Sequence, residues 1–209
     1  MNGDLIPITD EQAKAAQELA KLGGKAADVL LSAGGFLREI LGDVPKNLVG
    51  ILGGDWLANR RADNLAQAVE KAREKLRERG IDRPEAARLP LVMPLLQAAA
   101  EESDPILQEI WAALLAAAMD TRRRDRVRGG FTEVVKQMDP LDVLAFRDLS
   151  IHRLSGSHDI AERLKRLGMR PDQGVIVTDK LLQLGVARSP IAGVIEVSPL
   201  GRELLLALE

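Results

Sequence analysis

Cysteine and tyrosine are both absent from this sequence, and only two histidines occur among its 209 residues. Without cysteine there is no disulfide, thiolate zinc site, iron–sulfur cluster or cysteine nucleophile. Two histidines are too few for a multi-histidine metal site. Aromatic residues make up 2% of the chain, two Trp and three Phe, too few for the stacking platforms that hold single-stranded nucleic acid. That scarcity leaves the core to Leu, Ala, Val and Ile, a composition that favours helices over sheet. Walker and Rossmann glycine spacings and a nucleophile elbow are all missing, so no cofactor and no metal are expected. The longest uncharged runs, residues 89–100 and 110–119, fall short of the ~18 residues a membrane-spanning helix needs. No basic segment followed by an apolar stretch opens the chain, and a cytoplasmic location is the expectation.

What the chain does contain is ordinary for a globular protein: 46% apolar and 29% charged residues, enough to bury roughly 70% of the unfolded surface in one large or two small domains. The net charge of −2 exerts no global pull toward nucleic acid or an anionic membrane. It conceals a local alternation. Residues 59–80 and 122–138 carry net charges of +3 and +4, and residues 81–121 between them carry −5.

Periodicity and cap residues predict an essentially helical chain. Thr9 and Gln12 fit a capping box that opens a helix to Leu22, and residues 25–41 and 46–57 read as two further helices rich in glycine. A charged amphipathic helix follows over 55–79, with Leu65, Ala68, Val69, Ala72 and Leu76 on one stripe and Gly80 at its end. Residues 89–101 form an apolar helix starting near Pro90. Asp104-Pro105 caps the next, 106–119, whose apolar surface runs nearly all round and makes it the central element. A basic loop spans 120–130, and 131–138 is a short helix. Asp139-Pro140 repeats the cap-plus-proline signal, and residues 141–154, 157–167 and 171–184 read as three short helices. A hairpin over 186–190 and 194–198 and a closing helix over 200–208 complete the order of a winged helix. The predicted fold class is all-α, mainly a helical bundle, with a small winged-helix-like C-terminal domain containing one β-hairpin. The domains expected are 1–138 and 139–209.

Several stretches in order carry a family resemblance: Gly54-Asp55-Trp56-Leu57 with Arg60 and Asn64; Leu91-Val92-Met93-Pro94-Leu95-Leu96, followed by the acidic Glu101-Glu102-Ser103-Asp104; Leu107-Gln108-Glu109-Ile110-Trp111; and Phe131-Thr132-Glu133-Val134-Val135 through Asp139-Pro140-Leu141-Asp142. Their succession resembles the abortive infection alpha (Abi-alpha) family over about residues 45–150. The resemblance implies a bacterial protein of phage defence. It transfers no catalytic residues.

Candidate functional residues carry competing readings. Arg122, Arg123, Arg124, Arg126 and Arg128 put five guanidinium groups in seven residues; they read either as a phosphate clamp or as a loop docked on the acidic segment before it or on another subunit. In the winged-helix-like tail the recognition-helix position offers Gln173, Thr178, Lys180 and Gln183 beside Asp172 and Asp179, and the hairpin adds Arg188. This near balance of charges suits protein contact better than DNA. Arg147 and His152 match the R-x4-H spacing that resembles HEPN-type ribonucleases, in which His acts as a base and Arg holds the phosphate; Arg153 and His158 repeat it by chance spacing. His158 and Glu162 supply two metal ligands without a third. The Gly-rich segment 23–57, with Gly34, Gly35, Gly42, Gly50, Gly53 and Gly54, permits close helix packing or contact with a membrane. Trp56 and Trp111 are expected as core anchors, with Arg60 and Asn64 beside the first. These readings combine into a non-enzymatic helical interaction protein that acts by self-association, as a homo-oligomer, or through a partner protein. Membrane association through 23–57, HEPN-like ribonuclease activity and DNA-binding regulation are the alternatives, with peripheral membrane contact and nucleic acid as possible partners.

Overall fold

A computed structural model describes residue 51, residues 56–151 and residues 157–209, with side chains in the last stretch from residue 162 onward. The three N-terminal helices expected before residue 56, the membrane-contact segment 23–57 except Ile51 and residues 56–57, and His152 lie outside the described residues. Eight α-helices and one hairpin are found among them: α1 Ala58–Glu78, α2 Leu89–Glu101, α3 Pro105–Met119, a 3₁₀ turn Arg124–Arg126, α4 Gly130–Lys136, α5 Pro140–Ile151, α6 Ser157–Arg166, α7 Pro171–Gln183, β1 Ala187–Arg188, β2 Glu196–Val197 and α8 Pro199–Leu208. The fold is mainly helical with a small antiparallel hairpin, as composition and periodicity require. None of the described helices is long and apolar enough to cross a membrane.

Helix α3 is the centre. Asp104 caps its first turn, its Oδ1 accepting from the amides of Ile106 at 2.8 Å and Leu107 at 3.3 Å, and Pro105 occupies the first position, where no amide is needed. Every residue from Leu107 to Met119 except Glu109 is buried. Helices α1, α2, α5 and α8 pack around it, and Glu109 marks its one polar edge. There Lys71 and Lys75, one turn apart on α1, reach Glu109 at 2.7 and 3.0 Å. Burial raises the Glu109 pKa, but the hydrogen bonds and charges of the two ammonium groups outweigh it and hold the carboxylate below its ordinary value.

The second device is a pair of buried amides. Asn64 of α1 donates from Nδ2 to the Ala100 carbonyl at 3.0 Å, and Gln108 of α3 donates from Nε2 to the Ala99 carbonyl at 2.9 Å and to that of Glu102. The last carbonyls of a helix have no partner within it, so side chains from the two neighbouring helices complete the end of α2. Arg60 Nη2 donates to Ser103 Oγ at 3.3 Å on the same connection.

In the C-terminal part α7 packs on α5 and α6, and the hairpin is held against α5 and α8. The hairpin is shorter than the sequence pattern suggests: only Ala187 pairs with Val197 and Arg188 with Glu196. Pro190 has no amide to extend the ladder, and the turn closes on Gly193 at φ +79°. The helix of residues 140–151 is described as far as Ile151, and the expected end at 154 lies outside the described residues. One cluster of buried apolar residues runs from α1 to α8, across residue 139.

Helix α8 is seated by Ser198, whose Oγ accepts from the Gly201 amide at 3.0 Å and donates to the Gly185 carbonyl. A β-carbon on Gly201 would fall inside contact distance of the Val186 carbonyl and against Val197. Backbone cannot yield there as a flexible side chain would. Gly201→Ala is expected to destabilise the protein by about 1–3 kcal/mol, read as a lowered urea midpoint with an unchanged denaturant slope; an unchanged midpoint refutes the close approach.

Candidate functional site

The five arginines of the basic loop do not act as one group. The 3₁₀ turn interrupts the expected irregular loop: the amides of Arg123 and Arg124 bond the Asp120 carbonyl at 2.9 and 2.8 Å, and the Arg126 amide bonds that of Arg123 at 2.8 Å. This wraps the chain around Asp120, a buried carboxylate whose Oδ1 accepts from the Arg122 amide at 2.9 Å. The guanidinium groups of Arg122 and Arg123 stand 3.7 and 3.5 Å from the same carboxylate. Arg124 turns the other way and pairs with Glu85 at 2.6 Å. Arg126 and Arg128 are exposed and have no side-chain partner among the described residues.

Two of these arginines reach helix ends. Arg122 Nη2 approaches the Arg79 carbonyl beyond the end of α1 at 3.4 Å, and Arg123 Nη1 the Leu206 carbonyl in the last turn of α8 at 3.5 Å. Cations are favoured at helix C-termini, where unpaired carbonyls gather. The ends of α1, α3 and α8 therefore meet at the basic turn and enclose a cleft of about 420 Å³ lined by Arg79, Asp120, Arg122, Arg123, Arg126 and Glu209. Arg79 is the residue that sequence reasoning missed. Its Nη1 is shielded from solvent and has no hydrogen-bond partner among the described residues. Burial, then the neighbouring charge of Arg123, lowers its pKa from the ordinary arginine value against the pull of Asp120 and Glu78. Its only sequence signal was a basic residue in the last turn before Gly80.

The second region is α7. Its inner face buries Gly174, Val177 and Leu181. Three of the polar groups expected on a reading surface are engaged inside the protein. Gln173 Oε1 accepts from the Arg170 amide at 2.9 Å, and Asp172 pairs with the Arg170 guanidinium at 3.2 Å, a hydrogen bond that lowers its pKa. Lys180 reaches back to α5, 2.7 Å from Asp142 and 3.5 Å from Asp139. Thr178 is half-buried, and Gln183 remains exposed. The outer face instead carries Val175 and Ile176, 62% and 64% exposed, next to Asp179. On one side it borders an open cleft of about 390 Å³ lined by Gln137, Ile176, Asp179, Lys180, Gln183 and Leu184. The hairpin's Arg188 is paired with Glu196 at 2.8 Å.

Asp139 and Asp142 form the start of α5 in a reciprocal pattern. Asp139 Oδ1 accepts from the amides of Leu141 and Asp142 at 2.9 and 3.1 Å, and Asp142 Oδ2 accepts from the Asp139 amide at 2.8 Å. Asp142 is fully buried, its Oδ1 has no partner among the described residues, and Lys180 is its counter-ion.

The remaining candidates divide. Trp111 is 2% exposed in the core, its indole Nε1 without a partner among the described residues. Trp56 was expected as a core anchor and is not one: it is 87% exposed, because it lies in the turn before α1 and the buried stripe of that helix begins at Ala58. Arg60 and Asn64 serve the joint of α1 with the α2–α3 connection. Arg147 is exposed on α5; His152 lies outside the described residues, as does the His158 side chain. No group of three His, Asp or Glu residues able to hold a metal occurs among the described residues.

A helical body with a winged-helix-like tail, built around an apolar central helix, is the class of protein that these elements define. The family model for abortive infection alpha matches residues 60–190, and the chain belongs to that family. Neither the curated proteins nor the solved structures contain a match.

Removing Lys180 leaves the Asp142 carboxylate buried without its counter-ion. Lys180→Met is expected to cost about 1–3 kcal/mol, and adding Asp142→Asn to recover part of that loss, in a double-mutant cycle read by urea unfolding. Burial works against the Lys180 charge, but the hydrogen bond and charge of Asp142, with those of Asp139, raise its pKa. A raised value means that the contribution is complete below the ordinary lysine range and is lost as pH rises through the folded value. Wild type should therefore lose more stability than Lys180→Met in strongly alkaline buffer, and equal pH profiles would exclude the pair.

Proposed function

We propose that this member of an abortive-infection-type module acts by contact rather than catalysis, in phage defence or a related stress response, and that it self-associates through the outer face of α7. The observation that carries the reading is the fate of the recognition-helix position. Its lysine and first glutamine are engaged by other groups of the chain, and its outer surface presents Val175 and Ile176 beside Asp179. A duplex would meet acidic and apolar groups where it needs cations and amides. An adjacent pair of exposed branched apolar residues on a rigid helix suits a protein surface, where burying them on both copies removes apolar area from water. A two-fold arrangement also lets one patch serve both partners. Helical packing from α5 and α6 keeps that face in place.

Light scattering across a concentration series tests this. The wild-type chain is expected to exceed monomer mass, and Val175→Glu combined with Ile176→Glu to return it to monomer with an unchanged helical circular dichroism spectrum. A monomeric wild type, or a double variant of the same mass as wild type, overturns the proposal.

A further inference from the structure

The cleft at the basic turn has a property that its structural role does not explain. Arginines placed there to neutralise helix ends should be satisfied by those ends. Arg122 and Arg123 instead stand at the outer limit of hydrogen bonding from their carbonyls, 3.4 and 3.5 Å, and share one carboxylate at 3.7 and 3.5 Å. Arg126 has no partner among the described residues, and Arg79 holds a solvent-shielded Nη1 with no acceptor. A buried donor left unpaired is costly, and its residue, Arg79, lines a cleft of about 420 Å³, within the size range of small-molecule sites. Four guanidinium groups and two carboxylates, those of Asp120 and Glu209, line it.

We propose that this cleft is a binding site for a phosphate-chain anion, a compound with two or more linked phosphoryl groups, held by Arg79, Arg123 and Arg126. The chemistry is that of the guanidinium fork, which meets two oxygens of one phosphoryl group with two parallel N–H donors and keeps its charge at any physiological pH. Arg79 supplies a donor with no acceptor among the described residues, Arg123 the adjacent charge and Arg126 an exposed guanidinium. A chain of phosphoryl groups suits the site better than a single one, because the cationic groups come from the end of α1 and from separate positions on the turn. Of the residues lining the cleft none is aromatic, so no stacking partner for a base is offered, and the phosphate chain carries the recognition. Arg124, paired with Glu85, and Arg128 are not part of it.

Isothermal titration of the full chain with pyrophosphate, run beside a nucleoside triphosphate, inorganic phosphate and sulfate at constant ionic strength, tests the site. Saturable binding of pyrophosphate is expected, weakened about tenfold or more in Arg126→Ala and lost in Arg79→Met. Arg126 is exposed, so its variant tests the site without disturbing the fold. Arg79→Met removes an unsatisfied buried donor, so its unliganded thermal midpoint is expected to equal or exceed that of wild type. Equal affinities for pyrophosphate and the nucleoside triphosphate identify the phosphate chain as the whole ligand; tighter binding of the triphosphate identifies a nucleotide held by its chain. Absence of saturable binding, equal heats with sulfate, affinity unchanged in both variants, or displacement of pyrophosphate by duplex or single-stranded nucleic acid at lower concentration overturns the proposal.

Discussion

A helix with apolar side chains on nearly every face has no stable position except inside other structure, and α3 imposes that condition on the whole molecule. Because the chain is short of aromatic residues, the helices that enclose α3 do so with alanine and leucine. The buried stripe of α1 contains Ala58, Ala62, Ala68 and Ala72, and α3 answers with alanines at 112, 113 and 116–118. Small side chains let helices approach closely, and close approach leaves no room for water at their ends. The polar groups at those ends must then be matched by protein. Asn64 and Gln108 do this for α2, Asp104 for the start of α3, and the Asp120 turn for the place where α1, α3 and α8 finish.

The basic turn follows from the same constraint. Three helix C-termini brought to one place concentrate carbonyl groups, and a run of arginines is the physical response. The response exceeds the need, since Arg79 Nη1 and the Arg126 side chain have no acceptor among the described residues. In the tail the opposite holds. Lys180, Asp142 and Asp139 tie α7 to the start of α5, so the lysine of that helix is engaged by two carboxylates. The outer face of the same helix leaves Val175 and Ile176 exposed.

The motifs that carry the family resemblance have a concrete role in this arrangement. Arg60, Asn64, Ser103, Asp104 and Gln108 come together at the joint of α1, α2 and α3. They specify how the central helix is held. Trp111 belongs to that core, whereas Trp56, in the turn ahead of α1, does not.

By itself the sequence determined the helical class, the central position of residues 106–119, the cap-and-proline starts at Asp104, Asp139 and Ser198, and the succession of elements in the tail, because periodicity, capping and proline chemistry act over a few neighbouring residues. The hairpin's length depended on more: Pro190 and the Gly193 turn end it after two pairs. Tertiary structure alone decided which charges are satisfied. Arg124 found Glu85 and Lys180 found Asp142, 39 and 38 residues away, while Arg79 came to lie beside the cation Arg123, 44 residues on, with its Nη1 lacking an acceptor among the described residues. An electrostatic partner is set by distance in space, and the path of the chain between two residues leaves no periodic mark that a linear pattern could carry.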